Sequence, residues 1–309
     1  MNKIAFIYPG QGAQKCGMGK DFYENSSLAR NLYDCASELL GLDMRALCFE
    51  ENDRLDQTEY TQAAMVTTCL AITEVLKANG ARADVTAGLS LGEYCAIAEA
   101  GAMNLMDAIR LVRIRGQLMQ HTVPAGQGAM AAVLGMTAEQ MDAVIAPLDG
   151  VTVANYNCPG QIVITGMTKC VQQAADALKE AGAKRVVPLN VSGPFHSPLL
   201  KSAGDMLGQE LAQVQIHALQ IPYVTNVTAE YITDSSQIRD LLTRQVYSPV
   251  QWEQSIRAMI AQGTDTFVEI GPGKTLTGFL RKIDRSVSTY QVSSWEDVEQ
   301  IVEELWQTK

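Results

Sequence analysis

The sequence predicts an α/β protein in which a mostly parallel sheet carries a small inserted domain, and three observations support this. Strand-like and helix-like stretches alternate along most of the chain. Between about Gly128 and Asn190 the order becomes β-α-β-β-α-β, the ferredoxin-like arrangement. The borders of that stretch, Val123-Pro124-Ala125-Gly126 and Val191-Ser192-Gly193-Pro194, are dense in turn residues. The expected organisation is therefore a large part made of residues 1–125 and 193–309, interrupted by an insertion at 126–192.

Each element has a local reason. Ile4 to Tyr8 is an apolar run that breaks at Pro9-Gly10-Gln11-Gly12, and it reads as the first strand. From about Tyr60 to Ala78, Ala64, Met65, Thr68, Ile72, Val75 and Leu76 share one side of a helix that stops at Asn79-Gly80, a good C-terminal cap pair. Val85 to Gly88 is the second strand. Ser90 follows, and then a helical pattern through Leu91, Tyr94, Cys95 and Ala98. A further helix runs from about Asn104 to Gln120. Within the insertion, strands at Ala129 to Leu134, Val151 to Ala154, Gln161 to Thr165 and Arg185 to Leu189 alternate with helices at Thr137 to Ala146 and Lys169 to Ala181. Beyond it, Pro222 to Val227, Thr266 to Ile270 and Val287 to Val292 join the first two strands in one sheet, with a helix from about Trp252 to Gln262 crossing between two of them. The last helix, near Trp295 to Trp306, puts Val298, Ile301, Val302, Leu305 and Trp306 on one face for docking on the large domain.

Composition narrows the function. With 309 residues, 47% hydrophobic and 19% charged, the chain has ample material for a core. The balance of 24 Lys+Arg against 34 Asp+Glu gives −10, which argues against a nucleic acid partner. The 7 cysteines include no C-x-x-C pair, so neither a disulfide framework nor a zinc site is expected and a reducing cytosol is the simplest setting. No stretch reaches the roughly 18 apolar residues of a membrane span. A soluble, unexported, cytoplasmic protein is expected.

Gly88-Leu89-Ser90-Leu91-Gly92 is a G-x-S-x-G, a pattern that arises by accident in roughly one chain in ten of this length, so its context must carry it. A strand ends at Gly88 and a helix begins just after, as a nucleophile elbow requires. The other reading is that Ser90 caps the helix, with Glu93 completing an S-x-x-E box. A serine nucleophile needs a base, and the chain has 3 histidines. His121 suits a helix C-terminus. His217 lies in a connecting stretch, while His196 sits at the turn-rich domain junction, where clefts form. On the Asn104 to Gln120 helix, Arg115 has Leu111, Val112, Leu118 and Met119 as its helical neighbours. It lies within an apolar face and needs an anionic partner, either a protein carboxylate or a ligand. Arg113 reads as solvated. The loop Gly10-Gln11-Gly12 fits no phosphate-cradle spacing; it could instead present a backbone N–H to an oxyanion at Ser90. Gly271-Pro272-Gly273 reads as lining the same sheet edge or as a plain turn.

Gly10-Gln11-Gly12, Gly88 to Tyr94, Arg115-Gly116, Asn155 to Gln161, Phe195-His196-Ser197 and Glu269 to Gly273 together resemble the malonyl-CoA:acyl carrier protein transacylase family, in order and spacing over nearly the whole chain. The resemblance implies an α/β-hydrolase-like large subdomain with a ferredoxin-like insertion. It implies Ser90 as the acylated nucleophile and His196 as its base, oriented by the main-chain carbonyl of Gln245. The N–H groups of Gln11 and Leu91 would form the oxyanion hole, and Arg115 would hold the malonyl carboxylate in a bidentate pair. Asn155 and Asn226 match substrate-side positions near the cleft. Leu89 stands where many relatives have histidine, and Phe195 resembles the malonyl-selective pattern of polyketide acyltransferases.

The expected chemistry is ping-pong transfer through a malonyl-serine with no cofactor or metal, malonyl-CoA being a substrate. The rivals are a serine hydrolase or thioesterase, and a non-catalytic carrier-protein docking module. Acyl carrier proteins are acidic, so Lys184, Arg185, Lys274, Arg281 and Lys282 are the candidate docking charges. The protein is expected to act as a monomer in fatty acid biosynthesis, without nucleic acid or membrane.

Overall fold

The computed structural model describes residues 2–191 and 193–307, so Ser192, the last residue of the expected insertion, lies outside the described residues. From β1 (Ile4–Tyr8) the chain passes through the glycine-rich loop into three helices, α1 (Lys20–Asn25), α2 (Ser27–Leu40) and α3 (Met44–Phe49). Then come α4 (Thr58–Ala78), β2 (Val85–Gly88), α5 (Gly92–Glu99) and α6 (Leu105–His121). The next stretch is β3 (Gly128–Leu134), α7 (Ala138–Ile145), β4 (Val151–Cys158), β5 (Gln161–Met167), α8 (Thr168–Glu180) and β6 (Arg185–Pro188). The rest is α9 (Lys201–Leu211), β7 (Tyr223–Val224), β8 (Tyr231–Ile232), α10 (Ile238–Gln245), α11 (Trp252–Ala261), β9 (Thr266–Ile270), α12 (Thr275–Ile283), β10 (Ser288–Val292) and α13 (Trp295–Val302).

The large sheet has the order β10-β9-β1-β2-β7-β8, parallel except for the β7-β8 pair. Tyr8 pairs with Gly88 and Ile7 with Glu269, so the C-terminal ends of β1, β2 and β9 stop at one edge. The loops at Gly10, Ser90 and Gly271 therefore leave the sheet side by side, where open α/β sheets bind ligands. The central strands β1, β2 and β9 are wholly buried, as parallel strands covered on both faces must be. The strand expected from Pro222 to Val227 is shorter than its sequence pattern, because the chain turns at Thr225, whose N–H bonds Glu230, and returns as β8.

The small sheet is antiparallel in the order β4-β5-β3-β6, the ferredoxin-like order, with its own core around Val133, Met141, Ile164 and Leu178. A capping box at Thr137 and Gln140 starts α7. β4 joins the two parts: Val250 N–H donates to Ala154 O at 2.8 Å and Tyr156 N–H to Val250 O at 2.9 Å. The final helical stretch is not uniform, since α13 gives way to a π-helical turn at Glu303–Gln307. It docks as its apolar face predicts, with Trp306 edge-on to Phe6 at 6.1 Å.

Candidate active site

The turn after β2 is sharp for a steric reason. A Cβ on Gly88 would overlap the Gly92 carbonyl, and one on Gly92 would overlap the Tyr8 carbonyl. Only glycine at both positions lets α5 start this close to the sheet. Ser90 sits at the apex with φ 51°, in the left-handed region that a serine occupies only under constraint. The constraint is Asn226: its Oδ1 accepts from Ser90 N–H at 2.6 Å while its Nδ2 donates to Gly88 O at 2.7 Å. Ser90 does not cap α5, and Glu93 closes no capping box; the helix has no side-chain cap bond.

His196, also at positive φ (58°) and buried, brings Nε2 to 2.8 Å from Ser90 Oγ. Its Nδ1 lies 2.8 Å from the main-chain oxygen of Gln245. That oxygen can only accept, so Nδ1 carries the proton and Nε2 is free to take one from Ser90. Burial first, and the Arg115 charge second, push the imidazole down to about 4. At neutral pH the ring is therefore an uncharged base.

Arg115 is 1% exposed. Its Nη1 donates to Gln62 Oε1 at 2.8 Å, and its Nη2 to Gln245 Oε1 at 3.0 Å and to Ser90 Oγ at 3.1 Å. Nε has no partner, and among the described residues no carboxylate stands within 4.0 Å of the guanidinium. The internal ion pair that would explain a buried arginine is not there. A fixed charge held by neutral amides beside a nucleophile is a receptor for an anion.

These groups face a cleft of about 470 Å³ whose walls include Gln11, Leu91, Asn155, Met119, Leu89 and Phe195. Gln11 is braced by its side chain, which donates to Thr58 Oγ1 at 3.0 Å. The backbone N–H groups of Gln11 and Leu91 are engaged by nothing else among the described residues. Thr275 and Leu276, just beyond Gly271-Pro272-Gly273, line the cleft too.

One substrate-side expectation needs correction. Asn226 is fully buried behind the elbow with both amide ends engaged, so it holds Ser90 rather than substrate. Leu89 lines the cleft, and the turn takes its polar support from Asn226. A second correction is Arg113, which pairs with Glu59 at 2.9 Å and lies over the Tyr60 ring at 4.3 Å, half-buried instead of solvated. His121 is exposed, and neither it nor His217 lines the cleft.

All five candidate docking residues are exposed, and among the described residues none is in an ion pair. Lys282 Nζ reaches Gln161 Oε1 on the cleft wall at 3.4 Å, and Lys274 precedes Thr275 on that wall. Gln161 pairs with Leu134, which pairs with Arg185. Two strand spacings of about 4.8 Å put Lys184 and Arg185 roughly 10 Å from the same end of the cleft. Arg281 and Lys282 line a second groove.

Three contributors had not been read from the sequence: Gln62, Glu93 as an acceptor for Gln245 Nε2, and the Gln245 side chain, whose Nε2 also donates to Ser90 O at 2.9 Å. Gln62 had a signal, being a long polar side chain inside the otherwise small and apolar run of α4.

The sequence pattern of the acyl transferase domain matches residues 5–300. The malonyl CoA-acyl carrier protein transacylase of Bacillus subtilis (strain 168) is 46% identical over 99% of this chain and 98% of its own. The crystal structure of the transacylase of that name from Clostridium perfringens superposes with a TM-score of 0.95 at 42% identity, covering 99% of this chain and 98% of that one. A malonyl-transacylase solved in complex with a holo type II polyketide acyl-carrier protein superposes at 0.95 with 37% identity, over 98% and 99% of the two chains.

Proposed function

Because the chain belongs to the acyl transferase domain family, and within it to the malonyl CoA-acyl carrier protein transacylases, we propose that Ser90 carries a malonyl group from malonyl-CoA to the phosphopantetheine thiol of an acyl carrier protein. The observation that carries the acyl choice is Arg115, a buried cation without a carboxylate partner whose Nη2 lies 3.1 Å from the nucleophile. It suits an acyl group that ends in a carboxylate, and an ordinary hydrolase has no use for it.

In the proposed cycle His196 Nε2 takes the Ser90 proton as Oγ attacks the thioester carbon. The N–H groups of Gln11 and Leu91 receive the tetrahedral oxyanion. Collapse breaks the carbon–sulfur bond, and the imidazolium returns its proton to the coenzyme A sulfur. The carrier thiol then enters, gives its proton to His196 and attacks the malonyl ester; Ser90 leaves and recovers the proton. Arg115 holds the malonyl carboxylate through both halves, Asn155 lines the cleft on the substrate side, and Gln245 keeps the imidazole in the productive tautomer. Every proton and electron pair balances on these groups, so the cycle calls for no metal and no redox cofactor.

Lys184, Arg185, Lys274, Arg281 and Lys282 are assigned to the acidic carrier protein; Lys282 touching Gln161, Lys274 preceding Thr275, Arg185 standing two strands from Gln161 and Arg281 adjoining Lys282 support that reading. The proposed setting is the cytoplasm, with the protein acting as a monomer in fatty acid synthesis. No helix among the described residues is long and apolar enough to cross a membrane, and all seven cysteines are free. The test is the intact mass of the protein after brief exposure to malonyl-CoA without acceptor, beside Ser90→Ala. One malonyl group gained, absent in the variant and discharged by carrier protein, is expected. Steady hydrolysis without an adduct would point to a hydrolase, and neither adduct nor turnover to a docking module.

A further inference from the structure

Glu93 takes part in no step of that cycle, yet it is fully buried one helical turn after the nucleophile. Its Oε2 accepts from Gln245 Nε2 at 2.6 Å and from the Asn226 N–H at 3.2 Å. Those two partners are the residues that hold the reacting groups. Gln245 gives its main-chain oxygen to His196 and its Oε1 to Arg115; Asn226 gives its Oδ1 to Ser90 N–H.

The two ends of an amide are chemically unlike, and here the difference matters. The Nε2 end of Gln245 faces two acceptors, Glu93 Oε2 and Ser90 O, which leaves Oε1 as the end that meets the guanidinium. Turned the other way, the amide would set N–H groups against Arg115 and an oxygen against the Glu93 carboxylate. An ionised carboxylate cannot donate, so it permits only the first orientation.

We propose that Glu93 is a positioning residue for the transfer: its carboxylate fixes the Gln245 amide, so that one residue holds His196 by its main chain and Arg115 by its side chain. The inference rests on the transacylase reading of the site. The charged and titratable groups facing Glu93 are Arg115 from α6, Tyr223 from β7 and Tyr94 on its own helix. Burial raises the Glu93 carboxyl to about 7, against the hydrogen bonds and the Arg115 charge that lower it. Protonation gives the carboxyl a hydrogen to donate, so Glu93 no longer excludes the turned amide, which Ser90 O and Arg115 alone then oppose.

The experiment is single-turnover malonylation of Ser90, followed by intact mass from about pH 5 to about pH 9, for the full-length protein, Glu93→Gln, Gln245→Met and the double variant. Glu93→Gln, which mimics the protonated acid, is expected to malonylate roughly ten- to a hundredfold more slowly at the alkaline end. The wild-type rate steps down toward that level as the pH falls through about 7, and the variant lacks the step. Titration of the coenzyme A phosphates is common to both proteins and cancels. Because Glu93 acts through Gln245, the double variant is expected to be no slower than Gln245→Met. A Glu93→Gln protein within about twofold of wild type with an unchanged pH profile, or losses that multiply in the double variant, would overturn the proposal. If Glu93→Gln fails to fold, Gln245→Met decides alone: it keeps the main-chain oxygen, and its preference for malonyl over acetyl must fall; an unchanged preference refutes the link. A wild-type protein that never acylates sinks the transacylase reading instead, which keeps the two failures apart.

Discussion

Arg115→Ala tests the acyl choice most directly. In the free protein the guanidinium spends its hydrogen bonds on Gln62, Gln245 and Ser90 Oγ, all neutral. A malonyl group would bring the missing carboxylate, and without Arg115 that carboxylate is left buried and unpaired. Truncating one partner of a buried charge pair costs about 2–5 kcal/mol, or about thirtyfold to several thousandfold in kcat/KM. Acetyl-CoA brings no carboxylate. It loses only what the guanidinium gives to Ser90 Oγ, a loss that malonyl transfer shares, so the ratio of the two rates isolates the carboxylate contact. Gln62 Oε1 and Gln245 Oε1 lose their donor, at about 1–3 kcal/mol each, partly offset by no longer burying a cation. Thermal melts therefore accompany the kinetics so that rates are normalised to folded protein. The assay is the rate of Ser90 acylation by intact mass at subsaturating malonyl-CoA and acetyl-CoA, with Arg115→Lys expected to recover part of the preference because it keeps the charge and loses the fork. A malonyl-to-acetyl ratio within about twofold of wild type would falsify the assignment of Arg115.

Three further outcomes are expected. Asn226→Ala removes the acceptor for Ser90 N–H and the donor to Gly88 O; at about 1–3 kcal/mol per stranded buried group the protein loses roughly 2–6 kcal/mol, and Ser90 acylation slows even in the folded fraction, so full activity in folded protein would remove Asn226 from the elbow. His196, lowered to about 4 in the fold, favours the folded state fully above its ordinary value near 6.5 and loses that stabilisation as the pH falls toward 4; His196→Asn is therefore expected to show a smaller drop in Tm over that window than wild type, and an equal drop would contradict the buried neutral imidazole. Reversing Lys184 and Arg185 to glutamate is expected to raise KM for carrier protein and leave coenzyme A kinetics unchanged, whereas equal effects on both substrates would count against docking there.

What was legible in the sequence follows from where each constraint lies. Runs whose neighbours are close in sequence, such as Ile4 to Tyr8 before Pro9-Gly10 or the helix ending at Asn79-Gly80, announce themselves. Helix α12 does not: its first turn is held by Glu269 on β9, whose carboxylate accepts from Leu276 N–H at 3.0 Å and Thr277 N–H at 2.7 Å. The cap comes from a residue separated from the helix by a glycine turn, so no local pattern marks the start. Helix α2 has a local cap at Ser26, but Leu28 and Leu39 are exposed, which blurs its apolar stripe. In the site, Ser90 and Arg115 stood out because each breaks a local rule, a serine between tight-turn glycines and a cation in an apolar face. Gln245 and Asn226 break none. They matter only because the fold carries them next to the elbow, 155 and 136 residues from Ser90 in sequence.

The backbone shows how those distant residues make the chemistry possible. Among the described residues only Ser90, His196 and Ala229 are non-glycine residues at positive φ. Two are the reacting pair, and the third turns the chain just after Asn226. Such conformations cost about 1–3 kcal/mol each and persist only where the surroundings over-determine them. Ser90 has Asn226 on its N–H and Gln245 on its carbonyl; His196 has Gln245 on Nδ1. Glu93 accepts from both supporters, so a change there reaches the nucleophile and the base together without touching either. Substitutions at Glu93, Gln245 and Asn226 should therefore be strongly non-additive with one another, while pairing any of them with Lys184→Glu, in the small sheet's edge strand region, should give independent effects. Additive losses among the three would mean that the elbow and the imidazole are held separately.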